Sequence, residues 1–152
     1  STVYRYFSSK VDILIAFHDH IFKHIRLVAQ EKSIWLADGT PQSLINLFTI
    51  VQDQYRYRPL YAKLGNEAGY FTRELRSLLV QHFEDGLRKS FNAQELSVPI
   101  TYLARSLVGL FLEMFLWFCE APEQHEVIAI TNHIHQSMQS VIKESIKIPA
   151  LA

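Results

Sequence analysis

The sequence is short of the residues that break, bridge or highly charge a chain. Five glycines and five prolines in 152 residues are too few for a fibrous, loop-rich or low-complexity protein. Cys119 is its single cysteine, which excludes an internal disulfide framework; lying in an apolar run, it reads as a reduced core thiol. The longest greasy stretch, residues 107–118, is interrupted by Glu113 and falls short of the length needed to cross a bilayer. The opening residues lack the basic start, apolar middle and small-residue cleavage site of an export signal, so a cytoplasmic location without a membrane partner is expected. Charge of one sign is also missing: 15 Lys and Arg against 15 Asp and Glu give a formal charge of zero, so the chain as a whole is no general nucleic-acid binder.

What is present is an ordinary globular composition, 49% hydrophobic and 20% charged, enough for one compact core. The apolar residues recur at helical spacing, and no alternating run is long enough to insist on a strand, so the expected fold class is all-α. Leu14, Phe17, Ile21, Ile25 and Val28 predict a first helix over residues 11–32, with Ser8 or Ser9 as cap and Asp12 in its first turn. Thr40 and Pro41 predict the start of a second helix carrying Leu44, Leu47, Phe48 and Val51, which ends before Pro59. A short helix or irregular turn follows over residues 60–69. Phe71, Leu75, Leu78, Leu79, His82, Phe83 and Leu87 mark the next helix. Two long helices close the chain, one from about Ser97 or Pro99 to Glu120, the other over residues 123–147.

Catalytic signatures are lacking. There is no glycine-rich phosphate loop, no nucleophile motif, and no Glu-x-x-His pairing around Glu113, Glu120, Glu123 or His125. His20 and His24 stand one helical turn apart, but no cysteine or carboxylate set accompanies them. His133 and His135, two residues apart, point to different sides of a helix. Neither a metal nor another cofactor is therefore expected, and the chain is not read as an enzyme. His82, on the apolar stripe, reads as a hydrogen-bonded core residue.

The most specific signal is the opening string STVYRYFSSKVDILIAF. It resembles the end of the helix-turn-helix of the TetR family of transcriptional regulators, where a recognition helix closes with a threonine, an aromatic pair and a phenylalanine before a serine-lysine junction. The resemblance implies a TetR-like helical bundle, entered partway through the helix-turn-helix: residues 1–10 would be the end of the recognition helix and its junction, and residues 11–152 the ligand-sensing and dimerisation domain. It also implies that Thr2, Tyr4, Tyr6 and Lys10 contact operator phosphates and that Phe7 pins the recognition helix. Such hydroxyls and ammonium groups suit phosphate positioning, which fixes register without reading bases.

On this reading the partners are double-stranded operator DNA, a small-molecule effector and a second copy of the chain. An effector pocket, being largely apolar with a few polar groups, is expected among Tyr55, Tyr57, Tyr61, Phe71, Tyr102, Phe111, Met114, Phe115, Trp117 and Phe118. A homodimer is expected to pair the two last helices through Leu103, Leu107, Leu110, Ile130, Ile134, Met138 and Val141, with Ser106 and Gly109 allowing close approach. The competing reading is an all-helical scaffold or protein-interaction module that binds no DNA.

Overall fold

In a computed structural model, which describes residues 9–24, 31–53 and 63–148, the chain is an all-α bundle. Helix accounts for 82% of the described residues, far above the roughly one-third of an average globular protein, and they contain no strand. The α-helices are α1 (Lys10–His24), α2 (Lys32–Trp35), α3 (Gln42–Asp53), α4 (Ala68–Ser90), α5 (Ile100–Glu120) and α6 (Val127–Ser145). The bundle is organised about α4, α5 and α6, with α5 packed against both of the others, α1 lying on α4, and α3 on α6.

The buried faces follow the spacing of the apolar residues. On α4, Phe71, Leu75, Leu79, Phe83 and Leu87 recur every four residues and are all buried. On α5, eight side chains are buried, from Leu103 to Phe118, so this helix is covered on more than one side. It is 21 residues long, nearly twice the greasy stretch visible in the sequence, and by length and apolarity alone could cross a bilayer. Its Arg105, Glu113 and Glu120 are exposed, while its buried face is taken up by the neighbouring helices.

On α1 the buried stripe is Val11, Leu14, His18 and Phe22, whereas Phe17 and Ile21 are only half-buried. The core face is therefore rotated by one position from the stripe of apolar residues, because a histidine occupies a core position. Ile25 and Val28 lie outside the described residues. Ser9 caps the helix, its hydroxyl accepting the Asp12 N–H at 3.3 Å.

The connections explain where the helices stop. Thr40 does not cap α3; its hydroxyl donates to the Asn132 side-chain oxygen on α6. Before α4, Gly65 takes φ +51°, a left-handed conformation that glycine adopts at no steric cost, and opens the 3₁₀ turn Gly65–Glu67. Pro99 stands immediately before α5, accepting the Tyr102 and Leu103 N–H groups. The last helix is shorter than its periodicity suggests, 19 residues, because Pro122–Gln124 forms a separate 3₁₀ turn. At its far end Ile146 leaves the helix to form an isolated antiparallel bridge with Leu96. The Ser97 N–H donates to the Ser145 carbonyl and the Lys147 N–H to the Glu95 carbonyl, both at 2.8 Å.

Trp35 anchors α2 to α4. Its ring packs 5.9 Å from that of Phe83, and its indole N–H donates to the Ser90 hydroxyl at 2.9 Å. Nearby, Lys32 pairs with the Glu95 carboxylate and sits 5.3 Å above the Phe91 ring. The loop before α3 is fixed to α6 in a similar way: the Ala37 carbonyl accepts from His135 Nε2 at 3.0 Å and from the Gln139 amide.

Candidate functional site

The centre of the bundle is aromatic. Phe111, Phe115 and Phe118 follow at four and three residues on one face of α5, so their rings stack up along the helix. Phe111 lies parallel to Phe115 at 5.5 Å, and Phe48 of α3 closes on all three, nearest to Phe118 at 4.8 Å. Phe22 of α1 meets Phe111 and Phe115 edge-on, and Phe83 of α4 lies tilted against Phe111 at 6.4 Å. Such ring pairs contribute about 0.5–1.5 kcal/mol each beyond simple burial.

One polar ring stands among them. His18, 3% exposed, is in edge contact with Phe17, Phe71 and Phe115 and tilted against Phe22. Its Nδ1 lies 2.7 Å from the Leu14 carbonyl oxygen, so that nitrogen carries the hydrogen and donates. Burial lowers the pKa of His18 and the bond to Leu14 opposes that only in part, leaving a neutral imidazole at pH 7. Among the described residues the centre is thus a packed cluster of phenylalanine rings with one uncharged heteroaromatic side chain, His18.

Of the residues expected to line a pocket, Phe71, Phe111, Phe115 and Phe118 meet in this centre, and Met114 is half-buried against it. Tyr102 and Trp117 do not: they are 65% and 50% exposed and lie on the outer face of α5. Both sit one helical flank away from the buried row, an offset that an all-apolar helix hides in the sequence. Trp117 stacks edge-on against His125 at 4.4 Å, outside the centre. Tyr55, Tyr57 and Tyr61 fall outside the described residues. Sequence reasoning missed His18, Phe22 and Phe48 as members of the site; the spacing Leu14, His18, Phe22 was the available signal, masked by counting histidine as polar.

Of the expected phosphate contacts, Thr2, Tyr4 and Tyr6 lie outside the described residues, while Lys10 is exposed at the first position of α1. Of the expected dimer residues, Leu103, Leu107, Ile130 and Ile134 are buried by the chain's own packing. They therefore belong to the single-chain core, and Leu110, Met138 and Val141 remain half-buried. What α5 turns outward is a different row, Tyr102, Ser106, Gly109, Glu113 and Trp117, spaced at four and three residues. A Cβ added at Gly109 would meet nothing within 4 Å, so the space beside it is open.

The other histidines sit in different surroundings. His135 is buried and bonded to Ala37, whereas His133, two residues away, is exposed. His82 is not a core residue: it is half-buried and its Nε2 lies 2.8 Å from Asp19 Oδ1 on α1. His20 is exposed, and no group of three His, Cys, Asp or Glu side chains able to hold a metal gathers among the described residues. Comparison with protein-family models, with curated proteins and with solved structures gives no match to this chain.

Proposed function

We propose that the chain is the ligand-sensing and dimerising body of a TetR-type transcriptional regulator. In this reading it is a repressor that binds a pseudo-palindromic operator as a homodimer and releases it when a small apolar or amphipathic molecule enters the helical body. The observation that carries the proposal is the sequence string from Ser1 to Lys10, whose last residue opens α1. The all-helical architecture and the packing together of two long C-terminal helices support it as architecture alone.

Each part has a physical role. Thr2, Tyr4, Tyr6 and Lys10 hold phosphates and set the register of the reader, which lies mostly upstream. The aromatic centre around His18 supplies apolar contact for an inducer. Release requires that the inducer favour one of two arrangements of the body, since a ligand bound equally by both shifts nothing. α1 spans the two functions, beginning at Lys10 and reaching the aromatic centre at His18 and Phe22.

The test uses the full-length protein with the upstream helices of the motif. Selection from a random duplex pool is expected to enrich an inverted repeat. Lys10→Ala is expected to weaken binding to operator and unrelated duplex alike and to reduce the salt slope by about one. Failure to enrich any repeat would reject the DNA-binding reading in favour of an interaction module, and an altered base preference in Lys10→Ala would reject the role given to that lysine.

A further inference from the structure

Charge is scarce on α5, and its placement is symmetric. The helix carries three charged residues, Arg105, Glu113 and Glu120, all exposed. Arg105 stands four residues before Gly109 and Glu113 four residues after it, so both share the face of that glycine, one turn to either side. Neither has a residue of opposite charge three or four positions away on α5, and among the described residues neither enters an ion pair. They cannot pair with each other either. Eight residues of helix hold them about 12 Å apart, beyond the three or four positions at which side chains of one helix meet.

The apolar part of the face mirrors itself about the same point. Tyr102, exposed, stands seven residues before Gly109, and Leu116, half-buried, seven after it. Thr101 and the exposed Trp117 stand eight residues to either side. Gly109 brings no side chain to the midpoint, and the space beside it is open. Tyrosine and tryptophan are among the side chains enriched where proteins meet, and one charge of each sign, set at equal distances from a centre, gives such a face a direction.

We propose that a second copy of the chain docks on this face, its α5 antiparallel to the first and the two-fold axis beside Gly109. Under that symmetry each residue faces the one that stands equally far beyond the axis on the other chain. Arg105 meets Glu113 of the partner subunit, and the contact occurs twice. Tyr102 lies on Leu116 of the partner subunit, and the two glycines let the helix backbones approach at the crossing. A parallel pair would set each charge beside its own copy, so the charges select the antiparallel direction. This contact rests on the homodimer of the regulatory reading above and needs nothing from its DNA-binding part.

Charge exchange tests the contact. Sedimentation equilibrium of the 152-residue chain at low salt, where charge pairs are least screened, is expected to show a dimer. Arg105→Glu sets carboxylate against carboxylate at both contacts, and Glu113→Arg sets guanidinium against guanidinium. Each single change is expected to raise the dimer dissociation constant about tenfold or more. Both changes in one chain are expected to bring it back to within about threefold of the wild type, and an equimolar mixture of the two single variants to form a mixed dimer. Since the two positions are out of reach of each other within a chain, such rescue arises only across an interface. A wild-type chain that stays monomeric at high micromolar concentration overturns the homodimer and this face together. A dimer that neither single change weakens, or that the exchange fails to restore, overturns the face and leaves the homodimer standing.

Discussion

The indole N–H of Trp35 points at the hydroxyl of Ser90, 2.9 Å away and 55 residues further along the chain, and that hydroxyl in turn donates to the Gly86 carbonyl. The relay ties the short α2 to the last turn of α4. Ser90→Ala leaves a buried indole donor unpaired, and the expected loss is about 1–3 kcal/mol in urea unfolding. A smaller effect is expected from Trp35→Phe, which keeps the ring against Phe83 and removes the donor together with the need for its acceptor. A Ser90→Ala variant as stable as the wild type would show that the relay contributes nothing.

His18 gives a pH signature with a definite sign. Its pKa in the folded chain lies below the ordinary 6.5, so the unfolded state binds the proton more readily. Its contribution is present above that value and is lost as the pH falls through the depressed value. His18→Phe, which keeps a ring of similar size, is expected to flatten the acid side of a plot of unfolding free energy against pH. A wild-type and a variant curve that stay parallel below pH 6.5 would contradict the assignment of a neutral buried ring.

The proposed homodimer is best probed at Gly109. Light scattering is expected to give about twice the 17.7 kDa chain mass. Ile134→Glu would be a poor probe, because a side chain only 2% exposed reports on the fold before it reports on any partner. Gly109→Ala places a methyl group in open space within the chain and is expected to stabilise the helix by about 0.5–1 kcal/mol. Gly109→Arg is expected to abolish the dimer and leave a folded chain. A dimer that tolerates Gly109→Arg would mean that the outer row of α5 is not its contact.

Cys119 should be inert. Burial pushes its thiol up to about 12, which leaves almost no thiolate at neutral pH. Reaction with a colourless aromatic disulfide is expected to be slow in the native protein and fast in urea. Rapid native-state labelling would show that the turn after α5 opens readily.

The core rows of α3 and α4 could be read from spacing alone, because Leu44, Leu47 and Phe48, and Phe71, Leu75, Leu79, Phe83 and Leu87, stand at helical intervals among more polar neighbours. The reading failed where chemistry and burial part company. On α1 a histidine holds a core position, so the apparent stripe through Phe17 and Ile21 is turned away from the true one. On α5 nearly every position is apolar, and periodicity cannot tell Leu107, which is fully buried, from Trp117, which is half exposed. The pairing of His82 with Asp19 depends on how α1 crosses α4, a tertiary relation that no local pattern encodes.

The end of α6 is held in a way that ordinary helix ends are not. The last carbonyls of a helix usually face water, and the final turn unwinds and reforms freely. Here the Ser145 carbonyl is taken by both the N–H and the hydroxyl of Ser97, and Lys147 is bonded back to Glu95. Fraying of α6 therefore cannot begin at its own terminus without first peeling the connector between α4 and α5. A tension applied to the chain beyond residue 148 would be delivered to that connector, so a tag or fusion placed there loads the middle of the bundle instead of its last helix.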